Sequence, residues 1–446
     1  MKRRIRKVAV LGSGIMGSRI ACHFANIGVQ VLLLDIVPKD AGDSKEERNA
    51  LVNNYLKEAI KSNPSPVYSK RSQLTGRIQT GNFDDDLEKI ADCDWVIEAI
   101  IERLDIKKQM FDKVEKFRKP GSLISSNTSG IPISMLAEGR SDDFNKHFCG
   151  THFFNPPRYL KLLEIIPGPS TSQEVLDFHA DYGQRFLGKV VVQCKDTPAF
   201  IANRIGVFSI MSLFHTVKEM ELTVKAVDKL TGPVLGRPKS ATFRTCDVVG
   251  LDTLIHVADG LKENVPNDES KEFFEQPDFI QHMIGNDLLG SKTKAGFYKK
   301  VKENGESVIL ELDLNNYKYK PSEKFSSPTL EMTKTIDDLK ERHPVLFKGQ
   351  DKAGEFYRKT FSMLFRYVSM RIPEIADEIY KVDDAMRSGF GWELGPFESW
   401  DAVGVEESVK VMESLGHKPA AWVYDMISGE AKSFYRLNEG FREYYD

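Results

Sequence analysis

Apolar residues fall in short blocks through the first half of the chain and in longer, spaced stripes through the second. Residues 7–11 (Lys-Val-Ala-Val-Leu) are a short run bounded by turn signals, the pattern of a strand buried on both faces. A second run, 30–34, ends at Asp35, and a helical pattern reaching about Gly28 fills the interval. Further strands are expected near 77–80, 94–99 and 122–125. Between them lie a charged helix over 44–61, a proline-containing break at 63–66 and a helix over 105–117. Two apolar segments, 149–154 and 160–166, flank a Pro-Pro turn and read as a hairpin. A helix over 172–187 and a strand over 189–194 follow. Strands and helices alternating at these lengths build a parallel sheet with helices on both faces.

The alternation stops at Lys195-Asp196-Thr197-Pro198, where a long apolar helix is expected to open and run through Met220. Proline in a first turn with Asp and Thr beside it is ordinary helix-start chemistry. The α/β unit is therefore assigned to 1–198, and the remainder reads as mostly helical. That remainder repeats itself. Val227-Asp228, Gly236, Phe243, Asp247, Val249 and Gly250 are matched by Val382-Asp383, Gly391, Phe397, Asp401, Val403 and Gly404, with spacings agreeing to within one residue. Two related all-α domains in tandem, 199–303 and 351–446, are expected, joined by a polar linker over 304–350 that holds a short hairpin.

Composition narrows the class. A chain of 446 residues with 41% hydrophobic and 28% charged content is a soluble globular protein of more than one domain. A net charge of -3 gives no electrostatic ground for a nucleic-acid partner or for recruitment to an anionic membrane. The five cysteines are scattered and lack C-x-x-C spacing, which suits a reducing compartment and argues against a disulfide framework or a zinc site. No metal is expected. The basic start, 1–7, imitates a signal peptide, but Gly12, Gly14, Gly17 and Arg19 break the apolar run behind it. The apolar stretch 200–217 contains Asn203, Arg204 and His215, so it reads as a buried helix and not a membrane span. A cytoplasmic location is the default.

The chemistry-bearing residues sit where the pattern changes. Strand 7–11 runs straight into Gly12-Ser13-Gly14-Ile15-Met16-Gly17, then helix, strand and Asp35. Strand, G-x-G-x-x-G, helix, strand and acid make up the dinucleotide-binding context. The diphosphate would lie on the helix N-terminus, and Asp35 would accept from the adenine ribose and repel a 2′-phosphate, favouring NAD over NADP. Glu102 and Asn127 to Ser129 follow later strands, at the ends that line the ligand crevice of such sheets. The hairpin carries His152 on one arm and Glu164 on the other. A carboxylate that takes the proton of one imidazole nitrogen fixes the ring and leaves the other nitrogen free as a base. Asn203, within the first two turns of the long helix, can point back at the nucleotide domain.

Taken in order, these motifs resemble the 3-hydroxyacyl-CoA dehydrogenases of fatty-acid β-oxidation, over nearly the whole chain. The resemblance rests on Gly12 to Gly17, Glu98-Ala99-Ile100-Ile101-Glu102, Ser126 to Ser129, His152 to Pro156 with Glu164, Lys195 to Arg204, and Lys292-Thr293-x-x-Gly296-Phe297-Tyr298. It implies a Rossmann-type NAD-binding domain followed by helical domains, and oxidation of (S)-3-hydroxyacyl-CoA to 3-oxoacyl-CoA. It implies His152 as general base, Glu164 as its orienting partner, and Ser129 and Asn203 as hydrogen-bonding groups around the substrate oxygen and nicotinamide. Glu102 and Lys107 would contact the cofactor. Short members carry one helical unit and usually form homodimers, whereas the repeat here is that of long, multifunctional members. A fused enoyl-CoA hydratase module would then lie beyond residue 446. Trp392-Glu393 stands where the first copy has Arg237-Pro238, so the second copy is expected to pair with the first and leave the chain monomeric, with a homodimer as the other arrangement. Two rival readings use the same fold: a non-catalytic NAD-binding protein, and a hydroxy-acid dehydrogenase that needs no CoA.

Overall fold

The computed structural model describes residues 3–68, 76–303, 305–429, 431–438 and 441–444. Two compact units divide between Phe200 and Ile201.

The first unit is built on eight strands: β1 (Lys7–Leu11), β2 (Gln30–Asp35), β3 (Ile78–Asn82), β4 (Trp95–Glu98), β5 (Leu123–Ser126), β6 (Phe148–Phe153), β7 (Leu162–Pro167) and β8 (Val190–Gln193). They pair in the order β3-β2-β1-β4-β5-β6-β7-β8. The first six are parallel, so their carboxyl ends share one edge, while β7 returns antiparallel to β6. Val8, Ala9, Val10 and Leu11 are all fully buried, as a strand covered on both faces requires. Each such side chain contributes about 1.5–3 kcal/mol when removed from water. On one face Trp95 anchors the core, edge-on to Phe24 at 5.3 Å and donating its indole N–H to Ser125 Oγ at 2.9 Å.

Three local expectations change in detail. The helix expected over 44–61 is broken at Asn49 into Lys45–Arg48 and Ala50–Lys61, because the buried Asn49 amide oxygen accepts from Asn82 Nδ2 at 2.8 Å. The segment 133–147, left without elements by the sequence pattern, holds the helices Ile133–Ala137 and Asp142–His147. The long helix begins at Ala202 and not at Pro198. Asp196 does not start it. Its carboxylate instead accepts the N–H groups of Ile133 (2.7 Å) and Ser134 (2.8 Å), capping a helix 62 and 63 residues earlier in the chain.

The second unit repeats one motif, five helices and a hairpin. The first copy comprises Ala202–Glu219, Val224–Thr231, Phe243–Val249, Leu251–Asn264 and Asp278–Gly285, closed by β9 (Tyr298–Glu303) and β10 (Glu306–Leu312). The second comprises Lys352–Met370, Ile379–Gly389, Pro396–Val403, Val405–Ser414 and Ala421–Ser428, closed by β12 (Tyr435–Asn438) and β13 (Phe441–Tyr444). Between the copies β11 (Tyr319–Pro321) joins β10, and the helix Leu339–Lys348 buries Leu339, Leu346 and Phe347. The stretch expected to be a linker is therefore folded into this unit for much of its length.

Aspartates staple each copy in the same way, buried at Asp247 and Asp383 and half-buried at Asp228 and Asp401. Asp228 accepts from the N–H groups of Phe243 and Arg244 and from the Tyr298 hydroxyl. Asp383 accepts from Phe397, Glu398 and Tyr435. Asp247 takes the N–H groups of Phe297 and Tyr298, and Asp401 those of Phe434 and Tyr435. Burial pushes the Asp228, Asp247 and Asp401 carboxyls up to about 6, against the pull of these hydrogen bonds.

Candidate active site

The glycine loop closes where β1 ends. Gly12 adopts φ +97°, and a Cβ on it would stand 2.5 Å from the Ala99 carbonyl oxygen. A Cβ on Gly17 would meet Gly12 O at 1.8 Å, so helix and turn can approach only without it. Around Gly14 nothing lies within 4 Å of the same position. The helix Ile15–Asn26 begins there with no side-chain cap, leaving its first N–H groups turned to open space beside exposed Ile15. An uncapped helix start opening onto a glycine-lined cradle is what a dinucleotide diphosphate needs. Asp35 closes the loop from β2, with Oδ2 accepting Ser13 N at 2.6 Å and Ser13 Oγ at 2.5 Å, and Oδ1 accepting Ile36 N at 2.7 Å.

At the ends of β4 and β5 a polar network is sealed into the same edge. Lys107 is fully buried and ion-paired to Glu98 at 2.6 Å and Glu102 at 3.1 Å. Burial alone would lower its pKa, but the two carboxylates outweigh it and hold it above the ordinary lysine value. Glu102 also accepts from Thr128 Oγ1 (2.5 Å), Ser129 N (2.8 Å) and Gly130 N (3.2 Å). Burial would raise this carboxyl, yet Lys107 and these donors bring it below the usual range. Lys107 therefore acts on Glu102 and, through it, on the backbone of Ser129. Asn127 accepts Phe153 N at 2.9 Å and so ties the end of β5 to the end of β6.

His152 and Glu164 are register partners across β6 and β7. Glu164 Oε2 lies 2.8 Å from His152 Nδ1, and Ser129 Oγ lies 3.1 Å from Nε2. A carboxylate can only accept, so Nδ1 carries the proton and Nε2 presents its lone pair to the serine hydroxyl. The ring is 4% exposed and packs against Phe154 (4.6 Å between centroids) and Phe200 (5.7 Å). Phe200 reaches it from a left-handed backbone, φ +52°, next to Ala199 at φ +60°. Two such non-glycine residues cost of order 1 kcal/mol each, a strain held by the surrounding packing.

The residues singled out in this unit thus meet along one strand edge: Gly12, Gly14, Ile15, Met16 and Gly17 at β1, Asp35 at β2, Glu102 with Lys107 after β4, Asn127 and Ser129 after β5, and His152 and Glu164 on the hairpin. Asn203 lies elsewhere, half-buried in the first turn of Ala202–Glu219 in the second unit. Sequence reasoning did not single out Glu98, which is fully buried and holds Lys107, Ser126 Oγ (2.5 Å) and Ile100 N (2.8 Å). The available signal was an acid ending an apolar strand. Thr128 fell inside the stretch singled out, Asn127 to Ser129, whereas Phe200 gave no signal of its own.

Comparison with known proteins decides the family. The profile described as "3-hydroxyacyl-CoA dehydrogenase, NAD binding domain" matches residues 7–197, and that of the C-terminal domain matches twice, at 200–300 and 337–428. The chain belongs to the 3-hydroxyacyl-CoA dehydrogenase family. A "Probable 3-hydroxyacyl-CoA dehydrogenase" of Bacillus subtilis is 46% identical over all of this chain and 57% of its own length. A "Putative fatty acid oxidation complex trifunctional enzyme" of Rickettsia felis is 34% identical over 89% of the chain and 53% of its own length. The chain thus spans a little over half of these dehydrogenase-family relatives. The crystal structure of 3-hydroxybutyryl-CoA dehydrogenase from Escherichia coli shares the fold, with a TM-score of 0.69 over 95% of this chain and 98% of that one at 22% identity. The family is one of NAD-dependent oxidoreductases, and NAD is the cofactor that the cradle fits. Among the described residues no helix is long and apolar enough to cross a membrane.

Proposed function

We propose that this chain oxidises the 3-hydroxyl of an (S)-3-hydroxyacyl-CoA to a ketone, with His152 as general base. The observation that carries the reading is the buried imidazole held between Glu164 on one nitrogen and Ser129 on the other. NAD, when bound, supplies the hydride acceptor. Gly12 to Gly17 and Asp35 would hold it, with Glu102 and Asn127 shaping the crevice and Lys107 holding Glu102. Nε2 of His152 takes the hydroxyl proton, and Glu164 stabilises the imidazolium that forms. Ser129 donates to the substrate oxygen as it gains carbonyl character, an interaction that acts mainly in the transition state. The test compares NADH formation with 3-hydroxybutyryl-CoA and with free 3-hydroxybutyrate. Turnover of the thioester alone is expected. Equal rates would favour the CoA-independent dehydrogenase, and no NADH from either would favour a binding protein.

The trifunctional name of the Rickettsia relative and the coverage near half support placement in fatty-acid β-oxidation, within a longer protein bearing an enoyl-CoA hydratase module. A native product of about this length, read by mass spectrometry, would remove that reading.

The helical copies support a monomer with an internal pseudo-dimer. Gly236 (φ +65°) and Gly391 (φ +68°) face across the repeat: a Cβ on Gly236 would meet Glu393 of the second copy and Leu339 of the intervening helix, and one on Gly391 would meet Pro238 of the first copy. Glu393 N donates to Gly236 O at 2.8 Å, and Arg237 stacks on Trp392 at 3.8 Å. Sedimentation at micromolar concentration is expected to give one chain per particle.

A further inference from the structure

A cavity of about 450 Å3 opens in the first helical copy, between β9, the Gly290–Lys294 turn and the helix Phe243–Val249. That volume is in the range of small-ligand sites. Four cations line it, Arg244, Lys294, Lys300 and Lys302, together with the hydroxyls of Ser291 and Ser307. Among the described side chains no carboxylate is ion-paired to any of the four. The carboxylate in the wall, Asp247, is spent on the N–H groups of Phe297 and Tyr298. On a chain of net charge -3, this is a local concentration of positive charge.

Structure alone does not require it. β9 is an edge strand, and lysines on an edge discourage pairing with another chain. That accounts for Lys300 and Lys302, but Arg244 and Lys294 lie off the strand. The second copy supplies the control. Arg244 and Glu398 are equivalent, and each gives its backbone N–H to the aspartate staple, at 3.1 Å to Asp228 and 3.0 Å to Asp383. The Glu398 side chain turns back to Gly395 N (2.8 Å) and to Arg387 (3.1 Å). The fold uses the peptide group at this position, and the sign of the side chain is free.

We infer that the cavity binds the phosphate groups of a small phosphorylated anion, with Arg244 as a forked donor and Lys294, Lys300 and Lys302 as point charges. Ser291 and Ser307 add hydroxyl donors. The phosphates of a CoA thioester and those of a separate phosphorylated metabolite present this same chemistry. The probe is inorganic diphosphate, titrated by calorimetry into the full chain saturated with NADH, so that the glycine loop is filled. One-site binding that weakens with added salt is expected. It should be at least about tenfold weaker in Arg244→Glu, which copies the second repeat, and in the Lys300→Gln/Lys302→Gln double variant on the exposed strand. Absence of binding, or equal affinity in every variant that folds, overturns the inference. Either variant suffices alone, and the readout does not depend on dehydrogenase activity. Kinetics with acetoacetyl-CoA then separate the sources. If the phosphates are those of CoA, diphosphate competes with the thioester and Arg244→Glu raises its KM about tenfold. If the ligand is separate, KM is unchanged and diphosphate binds beside the thioester.

Discussion

Both units of this chain bury carboxylates, and the donors around them differ. In the nucleotide-binding unit Glu164 faces an imidazole, and Glu98, with the partly exposed Glu102, takes a lysine and two hydroxyls beside the peptide N–H groups of Ile100, Ser129 and Gly130. In the helical unit Asp228, Asp247, Asp383 and Asp401 are closed on peptide N–H groups and tyrosine hydroxyls. A peptide donor has no second protonation state near neutrality, so a carboxylate closed on it is a staple between distant segments. An imidazole does have one, and a carboxylate closed on it tunes a proton acceptor. What a buried acid does can therefore be read from its donors.

The largest break between the two classes is expected at the ring itself. His152→Gln keeps the size and one donor but loses the base, and turnover should fall about 10²–10⁴-fold. NADH binding by fluorescence and the melting temperature should stay as they are. Near-normal turnover would move His152 out of the chemistry and into the class of staples. The converse substitutions are Asp247→Ala and Asp401→Ala, each of which strands two peptide N–H groups. At about 1–3 kcal/mol for each unsatisfied donor, partly offset by relief of the buried charge, a loss of about 2–4 kcal/mol is expected. Calorimetry should show the helical transition lowered, with kcat retained. A large effect from one aspartate and none from its counterpart would show that the two copies are not held alike.

The staples also predict a pH dependence. Their folded pKa values of about 6 lie above the roughly 3.9 of an unfolded aspartate. Between about pH 4 and 6 the folded state then holds more protons, so these groups add stability as pH falls through 6, with the gain complete near 4. The ceiling is about 3 kcal/mol for each. Asp401→Asn cannot titrate, and its melting temperature should rise less than that of the wild type between pH 7 and 5. Parallel curves would place the Asp401 titration outside that window.

The same contrast separates what the sequence revealed from what it hid. The glycine loop, Asp35 and the His152/Glu164 hairpin were legible because each is local, set by strand length, a turn and a two-residue alternation. The repeat was legible because Asp228 and Asp383 must stand at fixed distances from the peptides they cap. Glu98 was not, since Lys107 lies nine residues away and Ser126 belongs to the next strand. Asp196 was taken for the start of its own helix, yet its partners lie more than sixty residues upstream. The buried face of Leu339–Lys348 was masked by a polar, proline-containing context. In each case the missing information was a partner that only the folded chain supplies.

Asp35 is the intermediate case, and the sharpest test of the rule on the smallest scale. Two of its donors are peptides, Ser13 and Ile36, as for a staple, and the third is the Ser13 hydroxyl. Its place at the end of β2, beside an uncapped helix start, is that of a ribose acceptor. If the ribose role governs, Asp35→Ala should lower the ratio of kcat/KM for NAD to that for NADP about tenfold, or about 1.4 kcal/mol. The glycine loop, held also by Gly12 N to Leu34 O at 2.8 Å, should lose little stability. An unchanged cofactor ratio with a clear fall in melting temperature would make Asp35 a staple, and the donors would then have outvoted the position.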